Sequence, residues 1–176
     1  MSNEFEKTYK VLQTAIKMEV DGKAFYQKAG LRSGNELGKK LLAKLAQEED
    51  VHRKVFEGIY EIIRTTKGWP KKKIKIDQGK GVKTVFATAL KEMDRNVKTV
   101  STEIDDIQTA MAMENRTYDY YTSHGSEAAL PAEKELYEAL ATQEFEHHRN
   151  LLEYFEFLKN PAAYFVQKEH LSVDGG

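Results

Sequence analysis

The sequence predicts an all-α protein, a four-helix bundle made of two repeated antiparallel helix hairpins joined by a long crossover. Three observations carry this. Only three prolines occur, Pro70, Pro131 and Pro161, and the stretches between them are rich in Glu, Lys, Ala, Leu and Met, which are good helix formers. Apolar residues recur near the 3.6-residue period of a buried helix face. Two of the breaks are tight and one is long, the loop pattern of two hairpins and a crossover.

The first helix is expected over 3–30, with Tyr9, Leu12, Ile16, Val20 and Phe25 as its apolar stripe. Asn3 and Glu6 read as a capping box and Gly30 as a stop. A turn at 32–35 leads to a second helix that runs to Lys67, with Leu37, Leu41, Leu45, Val55, Phe56, Ile59 and Ile63 facing inward. Gly68, Trp69 and Pro70 end it. The basic, Gly-containing segment 71–81, with Lys71, Lys72 and Lys73, reads as a solvated loop, and a short helix over 82–93 points Phe86 and Leu90 inward. The third helix is expected over 102–124, capped by Ser101 or Thr102, with Glu103, Asp105 and Asp106 near its positive end. Gly125 and Ser126 then turn the chain. The fourth helix is expected over 131–159, with Pro131 in its first turn. Residues 1–159 form one bundle and 160–176 a tail, with a short helix over 162–170.

Composition narrows the function classes. A chain of 176 residues with 40% hydrophobic and 31% charged residues is an ordinary soluble globular domain. Lys plus Arg total 27 against 28 for Asp plus Glu, which argues against nucleic-acid or polybasic membrane binding. Cysteine is absent, which excludes disulfides, thiol catalysis, iron–sulfur clusters and cysteine-held zinc or iron. No apolar run approaches the roughly 20 residues that span a bilayer, and MSNEFEKTYK has no signal-peptide core. The expected location is cytoplasmic.

The chain repeats itself at an offset of 95 residues without a gap. Gln13-Thr14-Ala15 matches Gln108-Thr109-Ala110, Met18-Glu19 matches Met113-Glu114, and Tyr26 matches Tyr121. Leu41 matches Leu136, Leu45-Ala46 matches Leu140-Ala141, Glu49 matches Glu144, and His52 matches His147. The repeated polar residues are one Glu on the first helix of each half and Glu-x-x-His on the second. Spacing i, i+3 puts carboxylate and imidazole on one helix face. The two halves thus converge Glu19, Glu49, Glu114, Glu144, His52 and His147 on one bundle interior. Four buried carboxylates without cations are prohibitive, and two divalent metals resolve the problem. The set is that of di-iron and di-manganese bundle proteins. One Glu-x-x-His alone says little, because such pairs are common on helices. Two copies in register with a repeat, each after an in-phase Glu, point to a dinuclear site. A decayed duplicate would have lost at least one ligand.

Tyr26 and Tyr121 lie two turns beyond Glu19 and Glu114 on the same face. Their hydroxyls are placed to hydrogen-bond the ligand carboxylates, since a buried hydroxyl needs a partner. Gly22 sits mid-helix, where it costs about 1 kcal/mol against Ala; it opens space beside the metals or permits close helix packing. His124, His148 and His170 read as solvated or peripheral, and Glu48 and Glu146 as surface or rim residues. Met18, Met111, Met113, Phe145, Tyr154, Phe155 and Phe157 read as core or dimer interface.

These residues resemble the ferritin-like superfamily and, within it, the rubrerythrin family. The matching text is Ala15-Ile16-Lys17-Met18-Glu19 with Phe25-Tyr26 and Gln47-Glu48-Glu49-Asp50-Val51-His52. It continues in Ala110-Met111-Ala112-Met113-Glu114, Tyr120-Tyr121 and Gln143-Glu144-Phe145-Glu146-His147, and in the tail from Tyr164-Phe165 to Gly175-Gly176. The resemblance implies a non-haem di-iron site, two iron ions with manganese or zinc as other occupants, that reacts with hydrogen peroxide or dioxygen. Glu49 and Glu144 would bridge, Glu19 and Glu114 would be terminal or semi-bridging, and His52 and His147 would each close one ion. Without cysteine the fused rubredoxin domain is missing, so an external donor such as rubredoxin supplies electrons. The family's extra Glu, three residues after the third-helix ligand, is Thr117 here, and its repeat counterpart is Gly22. The expected activity is peroxide reduction. The alternatives are a ferroxidase and a metal-stabilised structural or sensor bundle without turnover. A homodimer is implied by family analogy, and the long crossover allows a swapped helix pair.

Overall fold

The structure, a computed structural model, describes residues 2–70, 82, 88 and 101–164, with side chains from residue 6 onward. Four long helices make up most of it: α1 (Ser2–Arg32), α2 (Glu36–Thr66), α3 (Ser101–Glu127) and α4 (Pro131–Lys159). No strand occurs among the described residues. Helix α1 packs along α2 and α3 along α4, and the two hairpins meet through α1–α3 and α2–α4. The protein is an all-α bundle of the expected topology.

Of the expected α1 stripe, Leu12 alone is fully buried. Leu12, Ala15, Glu19, Gly22, Tyr26 and Ala29 are buried, whereas Val20 is 45% exposed and Tyr9, Ile16 and Phe25 are half-buried. The buried face keeps the helical period and runs through Glu19 and Tyr26, as the repeat implies, not through Val20 and Phe25. Between Leu12 and Tyr26 it consists of Ala15, Glu19 and Gly22, so apolarity alone selects the flank there. Gly30 does not stop the helix, which runs on to Arg32. The chain then closes by a Ser33 N–H to Ala29 O bond of 2.9 Å. At the other end α1 begins at Ser2, ahead of the expected cap Asn3, whose side chain lies outside the described residues.

Asn35 caps α2, its side chain accepting from Gly38 N at 2.8 Å. Lys67 ends α2 in the left-handed region with φ 54°, its N–H bonded to Ile63 O at 2.9 Å. Helix α3 continues past His124 through Gly125 and Ser126 to Glu127, so the expected turn lies later. Gly125 serves packing: a Cβ there would sit 3.2 Å from Tyr137 Cβ of α4. His124 is half-buried against the Tyr120 and Tyr137 rings, at centroid distances of 4.4 and 6.0 Å, and not simply solvated. Pro131 opens α4 as expected. Residues 161–164 resume helical structure, and Tyr164 OH donates to Glu153 at 2.5 Å. Of the short helix expected over 82–93, Val82 and Thr88 are helical and Val82 is buried. Phe86, Leu90, the lysines at 71–73 and the tail beyond Tyr164 lie outside the described residues.

Two apolar clusters form the core. One gathers Leu37, Leu41, Leu45, Ile107, Leu151 and Phe157; the other gathers Leu12, Phe56, Ile59, Tyr121, Tyr137 and Leu140. Each buried aliphatic or aromatic side chain contributes about 1.5–3 kcal/mol. Along every helix the six candidate ligands fall between the residues of these two clusters. The bundle is therefore a polar layer held between two apolar ones. Of the aromatic residues on α4, Tyr154 and Phe157 belong to the core, whereas Phe145 is exposed and rests against Tyr118.

Candidate metal centre

All six expected side chains meet in the polar layer. Glu19, Glu49, His52, Glu114, Glu144 and His147 are each no more than 3% exposed. Their potential ligand atoms fall into two overlapping groups: Glu19, Glu49, His52 and Glu144, and Glu49, Glu114, Glu144 and His147. Glu49 and Glu144 belong to both. In the first group His52 Nδ1 lies 3.4 Å from Glu19 Oε2 and 3.2 Å from Glu144 Oε1. In the second, His147 Nδ1 lies 3.4 Å from Glu49 Oε1, 3.6 Å from Glu114 Oε2 and 3.7 Å from Glu144 Oε2. The two imidazoles stack at 5.7 Å with their planes 14° apart.

These residues fit a pair of cations on an observation independent of the spacing. One atom of each lacks a hydrogen-bond partner: Glu19 Oε2, Glu49 Oε1, His52 Nδ1, Glu114 Oε2, Glu144 Oε1 and His147 Nδ1. Buried polar atoms are nearly always paired, and leaving one unpaired costs about 1–3 kcal/mol, more for a charged group. Six such atoms converging on one layer form an oxygen-rich donor set with one imidazole per ion. That set suits iron, manganese or zinc.

Electrostatics describe the same demand for positive charge. Burial and the charges of Glu19 and Glu144 push the Glu49 carboxyl well above its ordinary range. Burial, with Glu144 beside it, pushes Glu114 up to about 8. Burial also acts to raise Glu144, but the imidazoles of His147 and His52 beside it outweigh that and hold the carboxyl below the usual range. Burial acts to lower both imidazoles. The charge of Glu19 outweighs it at His52 and that of Glu114 at His147, so both are raised. Protein groups alone can keep this layer only by sharing protons, and a divalent ion replaces those protons.

The carboxylates of Glu19 and Glu114 are each held from behind by the opposite hairpin. Tyr26 OH of α1 donates to Glu114 Oε1 of α3, and Tyr121 OH of α3 donates to Glu19 Oε1 of α1. Both phenols are pushed well above 10, first by burial, and so remain neutral donors. In each case the bonded oxygen is Oε1, which leaves Oε2 facing the layer. Both tyrosines therefore make the expected contact, each to the carboxylate of the other half.

Two participants escaped the sequence reading. Glu48 is no rim residue: its Oε2 lies 2.9 Å from His147 Nε2, and its other oxygen takes Lys44 Nζ at 3.1 Å. Gln143 Oε1 likewise meets His52 Nε2. The signal was present, because Glu48 and Gln143 are themselves related by the 95-residue offset, but a Glu–Gln pair does not register as a repeat of identical residues. Thr117 offers no extra carboxylate; its hydroxyl bonds back to Met113 O at 3.1 Å. Gly22 faces Glu49, and a Cβ there would stand 3.4 Å from Glu49 Oε2, an ordinary contact.

No helix among the described residues is long and apolar enough to cross a membrane. None of the curated proteins compared matches the chain. A solved structure of a Pyrococcus furiosus protein, titled hypothetical, aligns with a TM-score of 0.64 at 23% identity, covering 85% of this chain and 89% of its own. That likeness shows the shared fold. The Rubrerythrin family model matches residues 10–153, a span that takes in both hairpins and all six clustered side chains, and the chain belongs to the rubrerythrin family.

Proposed function

We propose that the protein is a non-haem di-iron oxidoreductase that reduces hydrogen peroxide to water with electrons from a separate redox protein. The observation that carries the reading is the set of six unpartnered, buried ligand atoms in two groups sharing Glu49 and Glu144. Glu49 and Glu144 would bridge; Glu19 with His52, and Glu114 with His147, would complete the two positions. Two iron ions held there would supply two one-electron changes. Those are the two electrons that, with two protons taken up from solvent, would turn one peroxide into two waters. The chain's own contribution is placement. Tyr26 and Tyr121 fix the outer oxygens of Glu114 and Glu19, and the apolar clusters above and below exclude bulk water. Electrons must come from outside because the chain has no cysteine to hold a rubredoxin-type iron. A cytoplasmic setting and a homodimer belong to this reading; they rest on the cysteine-free composition and on family analogy.

One observation favours a second reading. Thr117 stands where the family's seventh carboxylate would be, Gly22 is its repeat counterpart, and neither supplies a carboxylate. That leaves the symmetric ligand set of a ferroxidase. The test is anaerobic loading with Fe(II), followed in parallel by hydrogen peroxide or dioxygen and by near-UV absorption of the oxidised pair. Much faster oxidation by peroxide, at two irons per chain, supports peroxide reduction. Faster reaction with dioxygen that continues past two irons per chain supports the ferroxidase. Binding without redox turnover would leave a metal-stabilised bundle.

A further inference from the structure

The repeat that builds the metal centre breaks in one atom pair directly behind the histidines. His147 and His52 are equivalent by the 95-residue offset, and so are the residues that receive their Nε2 atoms, Glu48 and Gln143. Both contacts cross between hairpins, from α2 to α4 and from α4 to α2. In both rings Nδ1 is the unpartnered atom that faces the carboxylates; with Nδ1 given to a metal ion, Nε2 is left to carry the proton and donate it backwards. One ring donates to a carboxylate, the other to a neutral amide.

From this we infer that the two metal positions are unequal, and that Glu48 is the positioning residue that makes the ion beside His147 the more tightly bound. A carboxylate accepting Nε2–H draws the proton toward itself and raises electron density at Nδ1. This strengthens the imidazole as a donor, and losing such an outer partner typically costs about 10–100-fold in metal affinity. An amide oxygen fixes the same ring orientation and tautomer but brings no negative charge. Lys44 softens the effect without cancelling it. It sits on Glu48 Oε1, the oxygen away from the ring, and its side chain is 29% exposed against 12% for Glu48, so solvent screens it more. The second half has no counterpart to this cation, because Ala139 occupies the position equivalent to Lys44. A fold with two chemically distinct halves therefore tells its two ions apart through one oxygen-for-nitrogen difference.

The inference rests on the dinuclear reading and can be separated from it. Crystals of the protein loaded with one Mn(II) per chain, an ion inert to dioxygen under these conditions, give two anomalous peak heights, one beside His147 and one beside His52. The expected result is an occupancy ratio of about tenfold in favour of His147. Glu48→Gln, which keeps an oxygen acceptor on His147 as Gln143 already does on His52, should bring the ratio to about one. The double variant Glu48→Gln with Gln143→Glu has the wild-type composition and charge, and it should invert the preference. A role in packing alone would move stability without inverting occupancy. Equal peaks in the wild type, or a ratio indifferent to the swap, would overturn the inference and leave the dinuclear reading standing. No manganese beside either histidine, even at excess, would overturn both.

Discussion

The bundle buries carboxylates in two places, and they are treated in opposite ways. Glu103, at the first turn of α3, is 3% exposed and has no cation beside it among the described contacts. Its Oε1 accepts from Ser33 Oγ and Tyr154 OH, both at 2.5 Å, and lies 3.5 Å from Asn35 Nδ2; its Oε2 accepts from Gly34 N at 3.2 Å. Neutral donors satisfy it completely, and in return it ties the α1–α2 turn to α3 and α4. The polar layer holds four carboxylates, and each keeps one oxygen with no partner. Burial of an acid is common to both regions and therefore decides nothing. What distinguishes a metal centre is the acceptors left over once the protein's own donors have been used.

The largest expected effect breaks the layer itself. Glu49→Ala or Glu144→Ala removes a ligand common to both groups. Metal content should fall from two ions per chain to none or one, with an affinity loss larger than the roughly 10–100-fold typical of an outer partner. Equilibrium dialysis with Mn(II) measures it. Glu103→Leu breaks the other region. It strands the donors of Ser33, Gly34 and Tyr154 and should cost about 2–4 kcal/mol in denaturant unfolding, while metal content stays at two per chain. The two variants thus dissociate loading from stability.

A third expectation is a pH dependence confined to the metal-free protein. Glu49, Glu114, His52 and His147 all have folded-state values raised above their ordinary ones, Glu114 from 4.5 to about 8. A raised value gives stability that is present at low pH and lost as pH climbs through it. The melting temperature of the metal-free protein should therefore fall as pH rises from about 5 to about 8. Glu144, whose value is lowered, acts in the opposite sense only at more acidic pH. Metal should abolish the slope, because the ions take the place of the protons. The smallest effect is Gly22→Ala. A Cβ fits at ordinary contact distance from Glu49, and helix propensity should add about 1 kcal/mol with loading unchanged.

Much of this was legible in the sequence because the repeat encodes it twice. An isolated Glu19 within an apolar stripe is ambiguous, but a Glu at both 19 and 114, followed in each half by Glu-x-x-His, is not. The apolar stripe of α1 fell beside the buried face because apolarity ranks Ile16 and Val20 above Ala15, Glu19 and Gly22, although the repeat already placed Glu19 and Tyr26 inside. Glu48 and Gln143 were missed because they differ, although they occupy one repeat position and perform one geometric task. Glu103 was missed for a different reason. At a helix start an acid already has a local explanation in the helix dipole, and its partners Ser33, Asn35 and Tyr154 are distant in sequence, with no counterpart in the other half.

The most direct test of the metal centre is anomalous diffraction from crystals fully loaded with Fe(II) under anaerobic conditions. Two peaks are expected in the polar layer, one against His52 Nδ1 and Glu19, the other against His147 Nδ1 and Glu114, with Glu49 and Glu144 reaching both. No peak in the layer, or iron bound only elsewhere on the chain, would contradict it.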